Sequence, residues 1–572
     1  MIILKMFPIK DKQIAVIIIS LLAIIIFINL GKEEIQPWDE GLYAIRAKSV
    51  LHYNDAWDQS GYSPGGLYSS TYPPLTIWCM SSFMALFGEN GFSVRLFSAI
   101  CSVLSLIFIY FIALRIMQKK FAITASVLME GTLVWDKFSR QGMTDIPLAF
   151  FFILTFWAVI KFRESNESKR LIAPLIVFTI GFAFALMTKI VISFLPLLFV
   201  FLIFLEKGNN KRYLLIASII AIALASPWYI YMINHYGQPF YQALFVPHIY
   251  TVVETNSPKL GMLYYLNQML ISNPLIIFSF FFLIIIFFKN TRKLLLQGSD
   301  NVFIISSSML WFFLSFVVLS LARTKMLHYT LYMLPPAILI LTYFFNKIVL
   351  LIKSSRFILA LFSISFMLFI WGLDFNLRQD MKLVFTNGKF TIDSLVFVFV
   401  SVVLFMSLFF SSKRNLEKFT KGHYPKIIYV ISAFLIMKVL VINSFFFQGH
   451  SFGAERASKI FQDSGESSFI YLYNEATSAD SLNPQLAWYT GEVMDHWVKG
   501  KTYKPFPVKP LPSIGRQLEK LKYYPEIMII YYMPEEKPIR KEVIEKVRTM
   551  FPVVDSCTRY IVFRRNKIFK NL

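Results

Sequence analysis

The sequence predicts an α-helical polytopic membrane protein with about thirteen transmembrane helices and a small C-terminal α/β domain. Three observations predict it. Of 572 residues, 56% are hydrophobic and only 16% charged, against about 45–50% and about 25% in soluble domains. Apolar runs near the length that crosses a bilayer, roughly 20 residues, recur from residue 14 to residue 447. Lys and Arg gather in every second loop, the positive-inside pattern. That pattern accounts for the formal net charge of +23. No basic groove with interleaved aromatics lies outside those loops, so nucleic acid is not an expected partner. Cys79, Cys101 and Cys557 show no CxxC or Cys/His spacing, which argues against zinc and a disulfide framework.

Residues 14–31 form the first span, preceded by Lys5, Lys10 and Lys12. The run is longer than a signal core and no small-x-small site follows, so it reads as an uncleaved span. Further spans are expected at 92–114, 121–135, 146–160, 171–187, 190–205, 213–232, 269–288, 302–321, 329–345, 357–373, 394–410 and 427–447. Thr188-Lys189 alone divides the fifth from the sixth. Loops such as Arg115/Lys119/Lys120, Lys207/Lys211/Arg212 and Lys413/Arg414/Lys418 then share the N-terminal side, which makes it cytoplasmic. The other side, periplasmic for a bacterial inner membrane, receives residues 32–91, 136–145, Lys189, 233–268, 322–328, 374–393 and everything from 448 onward.

The first outer loop is long, and loops of that length are usually functional. Residues 41–53 are expected to form a helix along the interface, with Tyr43, Ile45, Val50 and Leu51 available to lipid or protein. The transmembrane domain is bounded at 1–447 and the extracytoplasmic domain at 448–572. In the latter, 468–474, 526–533 and 559–565 read as strands, and 483–491 and 534–549 as helices.

The strongest local signal is Pro37-Trp38-Asp39-Glu40-Gly41-Leu42-Tyr43, directly after the first span. It reads either as solvated interfacial charge with Trp38 as an anchor or as chemistry. Later come Ser70-Thr71-Tyr72-Pro73-Pro74-Leu75, Gly142-Met143-Thr144-Asp145-Ile146-Pro147-Leu148, Thr188-Lys189, Pro227-Trp228-Tyr229 and Phe245 to His248. Arg323-Thr324-Lys325-Met326-Leu327-His328-Tyr329, with Leu334-Pro335-Pro336, completes the set. Taken in order over residues 1 to about 345, it resembles the GT-C superfamily of glycosyltransferases. The branch is that of the lipid A aminoarabinose transferase and the protein O-mannosyltransferases. The aminoarabinose transferases carry Glu-Lys before Pro-Pro where this chain has Thr71-Tyr72. A metal site of that type therefore lacks its Glu, and a donor-phosphate contact would fall to Lys189, Arg323 or Lys325.

The resemblance implies transfer of a monosaccharide from a polyprenyl-phosphate carrier, undecaprenyl phosphate in bacteria, with inversion at the anomeric carbon. Lipid A, another glycolipid, a cell-wall polymer or a protein is the implied acceptor. Expelling a phosphate needs positive charge around it, and the acceptor needs a carboxylate to take its proton. Asp39 matches the family's base. Asp145 is a second catalytic candidate, or a helix cap, since Thr144-Asp145-x-Pro147 is also a good helix start. Glu40, Tyr43, Tyr72, Arg140, Lys189, His248, Arg323, Lys325, His328 and Tyr329 are candidates for the donor phosphate and substrate. Lys189, Arg323 and Lys325 could instead snorkel to headgroups. His248 and His328 are the candidate ligands of a divalent metal, the one cofactor the reading admits, or loop residues making hydrogen bonds. A transporter or flippase of lipid-linked sugars is the rival reading, but few ionisable residues sit mid-span where such a path needs them. A non-enzymatic assembly subunit is the third.

Overall fold

The computed structural model describes residues 11–60, 67, 72–165, 168–190, 192–206, 211–245, 263–286, 289, 292, 296, 299–321 and 325–352 of the helical region. Beyond it, the model describes 453–463, 470–473, 484–490, 506–507, 527–531, 545, 547–549, 551–557 and 560–564. The expected spans at 357–373, 394–410 and 427–447, and the boundary at 447/448, lie outside the described residues.

The expected first span is helix α1 (Asp11–Phe27). Two helices of the long loop follow, α2 (Asp39–Tyr53) and α3 (Leu75–Phe87). The spanning series is α4 (Gly91–Ala113), α5 (Lys119–Glu130), the short α6 (Leu133–Ser139), α7 (Asp145–Glu164), α8 (Ser168–Leu186), α9 (Pro196–Leu205) and α10 (Lys211–Tyr236). After α11 (Gln238–Phe245) come α12 (Tyr264–Ser272), α13 (Ile277–Ile285), α14 (Ser299–Leu321) and α15 (Leu334–Ile352). Four of these, at 91–113, 145–164, 211–236 and 302–321, are long and apolar enough to cross a membrane. The chain is a multi-pass membrane protein.

Three expectations shift. The span expected at 269–288 is broken at Asn273-Pro274, where a proline cannot continue the helical hydrogen bonds. The span expected at 121–135 ends at Glu130, before Gly131. Residues 75–87, read as loop, form an apolar helix too short to span.

The core runs through α4, α5, α7, α8 and α15, and beside it Phe152 and Phe156 of α7, Phe199 of α9 and Trp311 of α14 pack ring to ring. Ile172, Ile176, Ile180, Leu215 and Ile219 are exposed, as suits helices whose solvent is lipid. The C-terminal part has one five-stranded sheet, in order β2 (Phe506–Pro507), β1 (Ile470–Tyr473), β3 (Ile527–Tyr531), β5 (Tyr560–Arg564) and β4 (Val553–Cys557). The first three are parallel neighbours and the last two pair antiparallel. Two further helices, α16 (Ala454–Asp463) and α17 (Pro484–Thr490), belong to this part.

This domain is docked on the loop that leaves α1. Glu34 accepts from the backbone N–H groups of Gly453 (3.1 Å) and Glu455 (3.3 Å) at the start of α16. Ile35 donates its N–H to the Tyr489 hydroxyl at 2.9 Å and accepts from the Gln485 amide at 2.6 Å. Gly453 has φ 86°, and a Cβ there would lie 2.5 Å from the Cys557 carbonyl oxygen. A second apolar cluster joins Tyr43, Ile45 and Met84 to Phe461 and Val562. Protein therefore covers much of α2, where an interfacial helix was expected.

Candidate active site

The site is built where α2, the start of α7, the link after α8 and the 3-10 turn Leu327–Tyr332 converge. Each segment has a local reason to be there. Trp38 sits at φ 75°, a left-handed conformation for a bulky residue, and turns the chain sharply into α2. Such strain persists only where the surroundings hold it. Here they do, for Glu40 accepts the Gln36 N–H at 2.7 Å. Asp39 and Glu40 occupy the first turn, where the helix dipole favours acids.

Glu40 also reaches beyond its own helix. Its carboxylate accepts from Arg95 Nε (2.8 Å) and Nη2 (2.9 Å), and from the Gly142 N–H (2.7 Å). Arg95 further donates to the carbonyls of Leu30 (3.0 Å), Glu33 (3.0 Å) and Glu34 (2.9 Å). The pair thus ties the end of α1, the start of α2 and the approach to Asp145 together. Leu75 N donates to Met187 O at 3.1 Å, which brings the Tyr72 loop against the Lys189 link.

Asp145 is the first residue of α7, and no side chain caps that helix. The cap reading is therefore not the one the geometry takes. Asp145 Oδ1 accepts from Lys189 Nζ at 2.7 Å and from the Tyr332 hydroxyl. Its Oδ2 is buried with no hydrogen-bond partner among the described residues. Lys189 points inward, its ammonium 5.7 Å from the Tyr72 ring, 5.2 Å from Tyr329 and 5.8 Å from Tyr332. This is not a snorkelling lysine. Although burial opposes its charge, Asp145 and the tyrosines hold Lys189 well above the ordinary lysine range.

Asp39 is half-buried, and no hydrogen bond engages its carboxylate among the described residues. Burial raises it above the ordinary aspartate value of 3.8, opposed by His328 and Lys189 and helped by Asp145. His328 packs on Phe138 (5.7 Å) and Tyr329 (4.7 Å), and burial holds it below its ordinary 6.5. Tyr43 meets Tyr72 edge to face at 5.9 Å. The structure thus gathers Asp39, Tyr43, Tyr72, Asp145, Lys189, His328 and Tyr329 into one constellation.

Two candidates have other engagements. Glu40 is enclosed by Arg95 and two backbone N–H groups, so it has no oxygen turned to a ligand. Arg140 donates to the carbonyls of Ile25 (2.8 Å), Ile26 (3.0 Å) and Ile28 (2.8 Å), closing the C-terminal end of α1. Lys325 is half-buried, with no described bond to Asp145. His248 and Arg323 lie outside the described residues. Among the described residues, no group of three His, Cys, Asp or Glu is placed to hold a metal ion.

Sequence reasoning missed Tyr332, Arg95 and Arg46. Tyr332 follows Tyr329 by three, the spacing that eclipses in a 3-10 turn, and the two rings stack at 6.2 Å. Arg95 is a lone charge inside an apolar run, a signal in itself.

Residues 71–231 match a family model described as dolichyl-phosphate-mannose-protein mannosyltransferase. A putative mannosyltransferase of Bacillus subtilis is 22% identical over 223 residues, 38% of this chain and 30% of its own. A polyprenol-phosphate-mannose–protein mannosyltransferase of Mycolicibacterium smegmatis is 30% identical over 157 residues, 27% of this chain and 30% of its own. The chain thus matches under a third of the length of these curated relatives. The solved structure of ArnT from Cupriavidus metallidurans bound to undecaprenyl phosphate superposes with a TM-score of 0.63. Identity is 14%, with 96% of this chain and 98% of that one covered. The chain has the fold of ArnT, the GT-C fold that the sequence resemblance implied. The apo structure of the same ArnT gives a TM-score of 0.62 at 13% identity. The constellation here combines the unbonded Asp39 carboxylate on α2 with the buried Asp145–Lys189–Tyr332 set.

Proposed function

We propose that this protein is a membrane glycosyltransferase that moves a monosaccharide from a polyprenyl-phosphate carrier to a lipid, glycan or protein acceptor, with inversion and with Asp39 as general base. The observation that carries the reading is the unengaged Asp39 carboxylate, held at the turn after α1 beside the Asp145–Lys189–Tyr332 set. A base must be free to accept a proton, and one partly withdrawn from water is stronger than an exposed aspartate. The acceptor oxygen bonds to the anomeric carbon as its proton passes to Asp39. The bond from that carbon to the phosphate oxygen breaks, and polyprenyl phosphate leaves with the electron pair.

Asp145 and Lys189 have different parts. Oδ1 of Asp145 fixes the ammonium, while the unpartnered Oδ2 suits a sugar hydroxyl. Lys189 brings positive charge to a departing phosphate. Tyr72 and Tyr329 give the aromatic surface on which a sugar ring stacks, with the buried Tyr43 packed edge to face against Tyr72. The bound undecaprenyl phosphate in the similar ArnT structure supports a prenyl carrier. The mannosyltransferase names of two relatives support transfer of a hexose. By the charge pattern, the site and the 448–572 domain face the periplasm of a bacterial inner membrane.

The test is incubation of purified protein with radiolabelled polyprenyl-phosphate sugars and membrane extract, the product identified by mass spectrometry. A labelled lipid, glycan or protein that requires Asp39 is the expected result. Transfer at near wild-type rate by folded Asp39→Asn removes Asp39 as the base.

A further inference from the structure

Arg46 lies seven residues after Asp39 on α2, with Tyr43 between them. Seven residues make nearly two whole turns, so the three side chains share one face, and Arg46 stands about 10 Å along the axis from Asp39. Its surroundings contrast with those of Arg95. Both arginines are 1% exposed. All three guanidinium nitrogens of Arg95 are bonded, two of them to the Glu40 carboxylate. Arg46 uses only Nη2, which donates to Gln59 Oε1 and to the Tyr72 carbonyl, each at 3.0 Å. Its Nε and Nη1 are buried with no acceptor among the described residues.

Neither engaged acceptor carries charge. Asp58 attracts Arg46 at longer range, but its own oxygens are taken by the Ser60 N–H (2.9 Å) and the Tyr236 hydroxyl. Burial lowers the guanidinium to about 10, which leaves it charged at neutral pH. Buried polar groups are almost always satisfied, and removing a charge from water without a partner is strongly unfavourable. Water could fill the donors but would leave the charge uncompensated. The Tyr72 ring meets Lys189 while its carbonyl accepts from Arg46, so the two cations contact different parts of that residue.

We propose that Arg46 is an anion subsite for the acceptor, taking a phosphate or carboxylate carried about 10 Å from the hydroxyl that is glycosylated. Assignment to the acceptor rests on the transferase reading, because Asp39 must touch the acceptor oxygen and Arg46 lies along the same face. The favoured acceptor is then a phosphorylated or acidic glycolipid or polymer, not a neutral one. The anion could instead be the donor's own phosphate, and the test separates the two.

Full-length protein in detergent is titrated with glycerol 3-phosphate, with glycerol as the neutral control, and binding is read by thermal unfolding. The wild type is expected to bind the phosphate and not glycerol. Arg46→Gln should weaken binding at least tenfold, and Lys189→Gln should leave it unchanged. Should Arg46→Gln not fold, Arg46→Lys replaces it, with a severalfold loss expected because one nitrogen replaces three. Saturating undecaprenyl phosphate should not displace the ligand; displacement would move the anion to the donor and overturn the acceptor assignment. Equal binding by the Arg46 variant and wild type, loss in Lys189→Gln alone, or no preference over glycerol overturns the subsite itself. None of these readings requires sugar transfer, so a failure of the transferase reading shows separately, as absence of labelled product.

Discussion

No hydrogen bond engages the half-buried Asp39 carboxylate among the described residues, and two expectations follow at this residue. Transfer should rise with pH along a limb lying above the ordinary aspartate range, because the base must be ionised and its folded value exceeds 3.8. Stability runs the other way. A raised folded value favours the protonated form, so that contribution is present below about 3.9 and lost as pH rises through the folded value. At neutral pH the charged Asp39 is therefore a burden, and Asp39→Asn should unfold at the wild-type temperature or above it. The same variant should lose about 100-fold or more in rate. Rate and melting temperature on one preparation check both. Asp145 and Lys189 behave as a pair. Either Asp145→Asn or Lys189→Gln alone leaves a buried group unmatched and should cost about 3–5 kcal/mol. The double variant should recover part of that, measured as a thermodynamic cycle; strictly additive losses would mean that the contact at 2.7 Å carries no coupling.

At the scale of elements, the catalytic geometry depends on how three segments are fastened. Glu40 and Arg95 do this from inside the fold, so Arg95→Met should destabilise by about 3–5 kcal/mol. It should also lower transfer, because the Gly142 N–H anchor is loosened upstream of Asp145. Gly142 is a second fastening. A Cβ there would fall 2.5 Å from Val94 Cγ1 and 2.8 Å from the Val94 carbonyl oxygen. The carbonyl belongs to α4 and cannot swing aside as a side-chain tip can. Gly142→Ala should therefore cost about 1–3 kcal/mol and shift Asp145, seen as lower rate together with a lower melting temperature. Helix existence was legible because apolar runs have a simple physical length. Asp39, Asp145, Lys189 and the His328–Tyr329 pair were legible because each sits at the end of an apolar run. Glu40 and Arg140 were singled out for the same reason, and the structure engages both with protein groups. A charge at a helix end looks the same in sequence whether it faces a ligand or the carbonyls of Ile25 and Ile26. Arg46 was hidden because its meaning lies in the acceptors it lacks, and only packing reveals those.

For the whole molecule, the decisive feature is that the C-terminal domain docks on the segment from which Asp39 hangs. Glu34 and Ile35, five and four residues before Asp39 in the chain, are held by Gly453, Glu455, Gln485 and Tyr489. The left-handed Trp38 lies between that dock and the base. Release of the dock should thus let the turn relax and displace the carboxylate, although no residue of the domain is bonded to Asp39. Glu34→Ala removes the acceptor from two N–H groups at the start of α16. Each unsatisfied buried group costs about 1–3 kcal/mol, and the loss falls on the dock rather than on the core around Trp311. The expected outcome is faster protease cleavage of the C-terminal domain and slower transfer, with the helical region melting as in wild type. Tyr489→Phe, which leaves only the Ile35 N–H without its acceptor, should show the same effects more weakly. Undiminished transfer in a Glu34→Ala protein whose domain is readily cleaved would mean that α2 holds Asp39 in place unaided.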